Sequence, residues 1–370
     1  MAKAIGEAVE RYCSAIYVRE EFPLESFESA PFPCIAPHEF ALYSPAQYAR
    51  AGFPYLPFLE TTPVRWASMT DPLTDAVWHV PAGMVVMPYF YDTEAGETPI
   101  GQPITTGLAC HCSWEQAALS AIGEVVERDA FTITWQAKMA MPQVQLETLS
   151  SKNRDLVRRF ERTGHRVTIF HLEMDHGIPT ILAVLQHPSP KAPAFLVAAS
   201  ADLDPEEAVR KSLEELAHTR RLAQFLKSTL PPVAPAANHD HLIEQDSHVH
   251  LYCDQANVPL ADFLFSSDRR IAFQDIENLT TGNDDTDLSL CLECIAATGH
   301  QVLLADLTTP DVKELGLSVT RAVIPGFHPL CMGHIYRALG GTRLWTVPQK
   351  LGYQGITHES GDNPLAHPYP

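Results

Sequence analysis

Two segments of this chain have nearly the same nine-residue sequence, and they lie 117 residues apart. The first reads AIGEAVERY from Ala4 to Tyr12, and the second reads AIGEVVERD from Ala121 to Asp129, so seven of the nine positions are identical. A spacing this long is not the period of a stacked repeat array. Because the apolar residues of both copies recur at helical spacing, the sequence predicts two separate helices that carry the same charged side chains.

Each copy contains two glutamates three residues apart, Glu7 with Glu10 and Glu124 with Glu127. Side chains at this spacing lie on one face of a helix. A single ExxER segment predicts a solvated face with local ion pairs. Here the glutamates of both copies stand among alanine, isoleucine, glycine and valine, which favours partly buried acids, and buried acids need partners.

A third acid-bearing helix is predicted further along the chain, where Arg210 precedes Glu214. Acids that converge between helices repel one another unless cations lie among them. Mg²⁺ takes oxygen ligands and is commonly shared between carboxylates and nucleotide phosphates, and the planar guanidinium groups of Arg11, Arg128 and Arg210 suit phosphate oxygens. The pattern predicts a metal–nucleotide site without a glycine-rich phosphate loop, and the solvated helix face stays open as the alternative.

The composition narrows the class of protein. The chain has 370 residues, 45% of them hydrophobic, and a mean hydropathy of −0.08, which supply a substantial core and exclude global disorder. A formal net charge of −19 disfavours partners such as nucleic acid. The sequence shows no long apolar run and no signal-peptide pattern, so we expect a cytoplasmic protein with no membrane span and with reduced thiols.

Helix and strand patterns alternate along the chain. Helices are predicted over 2–12, 113–135, 204–226 and 288–298, and strands near 84–89, 167–172, 180–185, 194–199, 302–306 and 319–325. This order indicates an α/β fold of the layered α+β kind. No composition shift marks a domain boundary, so we expect one domain over residues 1–370, with residues 229–250 as a mobile connection rich in proline and histidine.

Histidines are concentrated in that connection, at His239, His241, His248 and His250. A Zn²⁺ or Ni²⁺ site and a solvated loop are the two interpretations of this cluster. No cysteine or acid completes a ligand set at a standard spacing, so the loop is favoured.

Two other features have competing interpretations. Cys110, His111 and Cys112 precede the second predicted helix, where a thiol has a lowered pKa and could act as a nucleophile. However, neighbours in sequence rarely form a nucleophile–base pair, which distant positions normally supply.

Arg321 is a candidate substrate-side residue in a predicted strand, and a structural ion pair is its alternative role.

Five segments together resemble one protein family. They are AKAIGEAVERYCS at 2–14, TGLACHCSWEQAALSAIGEVVERDAFTITW at 106–135, LDPEEAVRKSLEELAHTR at 203–220, LTTPDVKELGLSVTRAVIPGFHPLCMGH at 307–334, and the terminal HPYP. In this combination the chain resembles YcaO proteins, and among them the azoline-forming cyclodehydratases of thiazole/oxazole-modified peptide biosynthesis. The resemblance covers nearly the whole sequence.

The resemblance implies a YcaO-type fold in which acid-bearing helices hold ATP and Mg²⁺. The implied metal ligands are five glutamates: Glu7, Glu10, Glu124, Glu127 and Glu214. The implied nucleotide-side residues are those glutamates together with Arg11, Cys112, Gln116, Arg128 and Arg210. The C-terminal tail, with Pro368 and Pro370, is implied to act in catalysis.

The implied activity is cyclodehydration of a ribosomal precursor peptide. ATP phosphorylates a backbone amide oxygen after a Cys, Ser or Thr side chain has attacked the carbonyl, and loss of phosphate leaves a thiazoline or oxazoline ring. A YcaO enzyme that forms thioamides or amidines is one alternative, and a catalytically impaired peptide-binding scaffold is another. The implied partners are a ThiF-like leader-binding protein and a flavin-dependent azoline dehydrogenase, and a homodimer stays open.

The sequence also departs from the family pattern. A basic, glycine-containing nucleotide loop usually precedes the first ExxER helix, and here that helix begins at once, so we expect the loop segment to be missing from this chain. Gln116 occupies a position that is usually acidic, which we expect to weaken one Mg²⁺ site. The tail pattern Pro-x-Pro-x-Pro is reduced, because Ala366 replaces its first proline.

Overall fold

The computed structural model describes residues 2–234, 236 and 239–370. The helices are α1 (Ala2–Ala15), α2 (Pro45–Tyr48), α3 (Trp114–Gln136), α4 (Ser151–Glu161), α5 (Pro205–Thr229), α6 (Gln245–Leu251), α7 (Asp284–Ala296), α8 (Pro310–Glu314) and α9 (Arg343–Lys350). The strands are β1 (Leu24–Glu25), β2 (Val64–Asp71), β3 (Ala76–Pro81), β4 (Leu108–His111), β5 (Gln143–Val144), β6 (Arg166–His171), β7 (Thr180–Gln186), β8 (Phe195–Ala201), β9 (Arg270–Ile271), β10 (Leu303–Asp306) and β11 (Ser318–Val323).

The chain divides into two compact units, and each contains one of the two sheets. Unit 1 comprises Met1–Val125, Thr281–Pro329 and Ala338–Thr342, and unit 2 comprises Val126–Thr280, Leu330–Arg337 and Arg343–Pro370. The division falls inside α3, after Val125, where the sequence shows no change in composition.

Unit 1 is built on a six-stranded antiparallel sheet in the order β1-β2-β10-β11-β4, with β3 paired to β2. Its core includes the fully buried side chains of Trp66, Met69 and Leu303. Helix α1 packs on β4, and Val9 and Cys13 of that helix join a small apolar cluster with β11. This packing brings the first ExxER segment to the end of the sheet formed by β4 and β11.

Unit 2 contains a five-stranded sheet in the order β8-β7-β6-β5-β9, antiparallel except for the β5–β9 pair. Helices α4 and α5 pack against it and bury residues such as Leu213 and Leu216 of α5 against the apolar face of the sheet. Helix α5 begins well, because the Asp204 carboxylate accepts the Glu206 N–H and Pro205 occupies the first helical position.

The predicted α/β fold class is confirmed, with both ExxER segments in helices and the strands at 167–172, 180–185 and 194–199 in place. The strand expected near 84–89 is wrong: residues 82–84 form one 3₁₀ turn and the rest is irregular. Pro88 has no N–H to donate to a strand partner, which disfavours a ladder there.

The segment at 229–250 differs from a uniformly irregular connection, because its second part forms α6. The solvated loop favoured for the histidine cluster is wrong for His239, His248 and His250, because these three side chains are buried in unit 2. Three residues of the segment, Pro235, Ala237 and Asn238, lie outside the described residues. Within the described part of the chain, none of the helices is long and apolar enough to cross a membrane.

Candidate active site

The first ExxER segment places Glu10 and Glu7 in different surroundings. The Glu10 carboxylate accepts the backbone N–H of Cys110 on β4, with an N–O distance of 3.0 Å. Glu7 is exposed and lies 3.7 Å from the Arg11 guanidinium, which is an ordinary i,i+4 surface pair. Burial, with the nearby Glu124 carboxylate acting in the same direction, raises the pKa of Glu10 to about 7 against the lowering effect of the Cys110 N–H.

Glu124 is held in unit 1 by the backbone of Gly107. The Gly107 N–H donates to the Glu124 carboxylate over 2.8 Å, and the Ala322 N–H donates to the Gly107 carbonyl over 2.7 Å. Gly107 has a φ of +89°, and a Cβ built on it would stand 2.3 Å from the Ala322 carbonyl oxygen. A side chain at this position would therefore push the backbone away from Glu124, so glycine is required for this hydrogen bond.

Glu10 and Glu124 together form a carboxylate pair that suits a divalent cation. They repel each other electrostatically in a partly desolvated place, and their donors are oxygens, the ligands that Mg²⁺ prefers. Among the described residues, no group of three or more His, Cys, Asp or Glu side chains stands close enough to hold a metal ion. Mg²⁺ usually takes one or two protein carboxylates and completes its shell with phosphates and water, so a pair fits it.

Arg321 on β11 is buried in unit 1, with 3% of its surface exposed. Its Nε donates to the Met84 carbonyl over 2.8 Å, and its Nη2 donates to the Ile104 carbonyl over 3.1 Å. Burial lowers its pKa to about 10, an effect that the Glu124 charge opposes and the Arg11 charge reinforces. The side chain is thus anchored by carbonyls within electrostatic range of Glu124.

In unit 2, the second ExxER segment meets the C-terminal tail. The Tyr369 hydroxyl donates to the Glu127 carboxylate over 2.5 Å and accepts the Ala199 N–H of β8 over 3.2 Å. The Arg128 guanidinium lies over the Tyr369 ring, 4.4 Å from its centre, and also pairs with Glu127 at 3.4 Å. The tail therefore contacts the Glu127–Arg128 pair directly.

Other side chains of unit 2 hold the tail through its backbone. Trp135 donates to the Leu365 carbonyl over 2.9 Å, and Tyr252 donates to the Ala366 carbonyl over 2.7 Å. The Ala366 N–H donates to His239 over 2.9 Å, and the His248 ring donates to the His367 carbonyl over 3.1 Å.

These contacts show where the predicted tail prolines and two of the predicted histidines lie. Pro368 is buried and Pro370 is partly exposed, so the tail lies in the protein rather than in solvent. His239 and His248 hold this tail in place through these hydrogen bonds.

The predicted residues of α5 form a surface ion-pair cluster within unit 2. The Arg210 guanidinium donates to Glu214 over 2.6 Å and to Glu207 over 2.6 Å. The exposed fractions of these side chains are 38% for Arg210 and 50% for Glu214. Exposed ion pairs of this kind are what the solvated-face alternative predicts. Glu10, which is partly desolvated, fits that alternative less well.

Cys112 and Gln116 flank the start of α3 in unit 1. The Ser113 hydroxyl accepts the Gln116 N–H over 3.2 Å and so caps the N-terminus of the helix. Cys112 is exposed, and its N–H donates to the His111 ring over 3.0 Å. The His111 ring nitrogen therefore accepts a backbone N–H in this contact and does not act as a base on the Cys112 thiol.

Sequence reasoning missed three residues that shape this region. Gly107 supplies an N–H to Glu124, Tyr369 supplies a hydroxyl to Glu127, and Arg343 forms a bidentate ion pair with the fully buried Asp129 of unit 2. Asp129 carried a usable signal, because it is one of the two positions at which the nine-residue copies differ. Tyr369 stands between the two tail prolines, but its partner is distant in sequence.

Comparison with known proteins identifies a relative in sequence and several structures that share the fold. An uncharacterized protein from Methanothermobacter thermautotrophicus is 26% identical over 335 residues, which are 88% of this chain and 78% of the relative. The structure of the heterocyclase TruD superposes with a TM-score of 0.75 at 21% identity, over 100% of this chain and 50% of TruD. The chain thus spans about half the length of TruD.

Two further solved structures share the fold. YcaO from Methanopyrus kandleri, bound with AMPPCP and Mg²⁺, matches with a TM-score of 0.62 at 22% identity, over 88% of this chain and 75% of that protein. The Escherichia coli microcin synthetase McbBCD complex with pro-MccB17 bound matches with a TM-score of 0.63 at 17% identity, over 99% of this chain and 87% of the matched one. At these identities the likeness establishes the fold.

The sequence itself matches one family model, that of the YcaO cyclodehydratases, which is described as ATP- and Mg²⁺-binding, over residues 1–328. This match confirms the family that the five segments together resemble, and ATP and Mg²⁺ as its cofactors. The family is one of ATP-dependent enzymes. With most of its length covered by the family model and its fold shared with solved members, the chain belongs to the YcaO family.

Proposed function

We propose that this protein is an ATP- and Mg²⁺-dependent cyclodehydratase that forms thiazoline or oxazoline rings in a ribosomal precursor peptide. The observation that carries the proposal is the carboxylate pair of unit 1, in which Glu10 and Glu124 each accept a backbone N–H at the end of a sheet. A pair of this kind supports Mg²⁺ binding with phosphate oxygens as further ligands. The family model and the heterocyclase fold support the reaction class.

Each residue of the pair has a defined task in this proposal. Glu10 and Glu124 hold the cation, and Arg11 neutralises phosphate charge beside them. Bound ATP supplies the phosphoryl group that turns an amide oxygen into a leaving group. The Cys110 and Gly107 amides fix the two carboxylates, so their positions do not depend on the cation.

The remaining site residues are proposed from the family resemblance. Glu7 is a further Mg²⁺ ligand of unit 1, and Cys112 and Gln116 are further nucleotide contacts there. In unit 2, Glu127 and Glu214 are proposed metal ligands, Arg128 and Arg210 are proposed phosphate contacts, and Pro368 and Pro370 are proposed to act in catalysis. The contact between Tyr369 and Glu127 supports a role for the tail, because it ties the tail to one of these acids.

Partners and location belong to the same proposal. A precursor peptide is the proposed substrate, and a ThiF-like leader-binding protein and a flavin-dependent azoline dehydrogenase are the proposed partners. The microcin synthetase that shares this fold is a complex with pro-MccB17 bound, which supports a peptide substrate. The cytoplasm is the proposed location, since the reaction needs ATP.

The test is ATP-dependent dehydration of a synthetic peptide that contains Cys, Ser and Thr, followed by mass spectrometry, with the proposed leader-binding partner added in a second reaction. Loss of one water per ring, with loss of alkylatable thiol where Cys reacts, supports cyclodehydration. Exchange of oxygen for sulfur identifies thioamide formation, and consumption of an amine identifies amidine formation. Peptide binding without ATP turnover identifies a scaffold, and Glu124→Gln is the control that should stop every ATP-dependent product.

A further inference from the structure

The Arg321 guanidinium has one nitrogen that no group in the described part of the chain satisfies. Its Nε and Nη2 donate to the carbonyls of Met84 and Ile104, which fixes the plane of the group. Its Nη1 is buried and has no hydrogen-bond partner among the residues that the structure describes. Buried polar groups are almost always hydrogen-bonded, and an unsatisfied charged donor is costly, so an exception of this kind needs a reason.

The surroundings of Arg321 point to the chemistry of the missing partner. Glu124 is close enough to stabilise the charge of the guanidinium, and Arg11 is close enough to destabilise it. Glu124 is also a member of the carboxylate pair with Glu10. If Glu10 and Glu124 hold Mg²⁺, an anion that reaches Arg321 would belong to a group that also binds this metal ion. The phosphate oxygens of a nucleotide are of this kind.

We propose that Arg321 binds a phosphate oxygen of the nucleotide through Nη1, as a further binding residue of the active site. This inference rests on the proposed function, because it assumes that Glu10 and Glu124 hold Mg²⁺ and ATP. It adds a role that the ExxER pattern does not contain, since Arg321 lies on β11 and not on an acid-bearing helix. The two carbonyl anchors orient the guanidinium in advance, so little side-chain entropy is lost when the phosphate binds.

A purely structural role is the competing account. In that account the guanidinium ties the backbone at Met84 to the backbone at Ile104, and the charge of Glu124 compensates for the unsatisfied nitrogen. The two roles differ in what a substitution changes. Loss of the hydrogen bonds to the two carbonyls lowers the stability of the fold and reduces the affinity for all ligands alike. Loss of a phosphate contact reduces the affinity only for ligands that carry phosphate.

The test uses calorimetric titration of the full chain with ATP, inorganic tripolyphosphate and adenosine in the presence of Mg²⁺. The variants are R321K and R321Q, and R65K is the matched control. Arg65 is another inward-facing arginine of unit 1 that donates to backbone carbonyls, those of Arg19 and Phe22. Thermal unfolding without ligand identifies the variants that fold. If R321K does not fold, R321Q is the variant used for the titration.

We expect R321K and R321Q to bind ATP and tripolyphosphate about 10- to 100-fold more weakly than the wild-type protein, the range for a charge-assisted hydrogen bond. Adenosine binding should be unchanged, and R65K should bind all three ligands normally. Wild-type ATP affinity in a folded Arg321 variant would overturn the inference alone, as would an equal loss for ATP and adenosine. Absence of ATP binding by the wild-type protein would overturn both this inference and the proposed function.

Discussion

The two copies of the nine-residue segment have nearly the same sequence, but they lie in very different surroundings. The copy on α1 is largely solvated: Glu7 and Arg11 are 62% and 45% exposed and pair with each other. The copy on α3 is largely buried, and its corresponding residues, Glu124 and Arg128, contact the Gly107 amide and the Tyr369 ring. The helix is thus set by the local sequence, whereas the partner of each acid is set by the tertiary structure.

The last position of the segment shows the difference most clearly. In the first copy Tyr12 is exposed and donates to Asp311 over 2.9 Å at the surface. In the second copy Asp129 is fully buried in unit 2, and its two oxygens accept from the Arg343 Nε and Nη2 over 2.9 Å and 2.7 Å. One substitution between the copies therefore separates a surface hydrogen bond from a buried ion pair.

The largest effect is expected for ATP affinity in Glu124→Gln. The amide still accepts the Gly107 N–H but brings no charge to a cation. Loss of an outer-shell partner of a metal ligand costs about 10- to 100-fold in affinity, and we expect a ligand itself to cost at least about 100-fold. Glu7→Gln, at the matching position of the first copy, removes a further proposed ligand and should also weaken ATP binding, but less, because Glu7 is exposed and already paired with Arg11. Equal losses in calorimetric titration would show that the two copies do not differ in this way.

The next effect concerns the stability of unit 2 in Asp129→Asn. Removal of one partner from a buried ion pair costs about 3 kcal/mol when the other charge is left uncompensated. The Asp175 carboxylate stays 2.8 Å from the Arg343 guanidinium, so we expect a smaller cost of about 2 kcal/mol here. Tyr12→Phe is the matched control at the other copy and should change the free energy of unfolding by no more than about 0.5 kcal/mol. Chemical denaturation measures both, and a cost below about 1 kcal/mol for Asp129→Asn would contradict a stabilising role for Arg343.

The third effect is a pH dependence of stability in the metal-free protein. Because the pKa of Glu10 is raised to about 7 from 4.5, the folded state keeps a proton that the unfolded state has already lost over this range. The stabilisation is therefore complete below pH 4.5 and is lost as the pH rises to about 7, by about 2 kcal/mol once partial exposure is allowed for. Glu10→Gln should flatten this dependence in EDTA-containing buffer, while Glu7→Gln should reduce it only slightly, because the Glu7 charge is the smallest of the causes that raise this pKa.

The smallest effect is expected for Tyr369→Phe, which removes the hydroxyl that donates to Glu127 and accepts from Ala199. The loss of these hydrogen bonds should lower the free energy of unfolding by about 1.5 kcal/mol. Circular dichroism melts of Tyr369→Phe and the wild-type protein measure the change. An unchanged stability would mean that the tail is not held at the second copy through this side chain.

Much of the fold was predictable because its signals are local. The N-cap at Ser113, the Pro205 start of α5 and the apolar strands of unit 2 are encoded within a few residues of each element. The failed strand near 84–89 followed from apolar content alone and overlooked the missing donor of Pro88. The division of the chain after Val125 depends on long-range packing, and no residue near Val125 signals it.

The site was predictable in its residue types but not in its contacts. The spacing of Glu7 with Glu10 and of Glu124 with Glu127 indicated acids on helix faces. It could not separate the exposed Glu7 from the desolvated Glu10, because both occupy equivalent positions on an apolar helix. That difference arises from β4, which offers the Cys110 N–H to Glu10 alone.

The central claim is that the acid pair of unit 1 binds a cation together with ATP. It is tested most directly by measuring ATP affinity calorimetrically in Mg²⁺ and in EDTA for the wild-type protein and Glu10→Gln. The account predicts that the wild-type protein binds ATP tightly only with Mg²⁺, and that Glu10→Gln loses most of this dependence. Equal ATP affinity of the wild-type protein in Mg²⁺ and EDTA, or an unaltered Mg²⁺ dependence in Glu10→Gln, would contradict it.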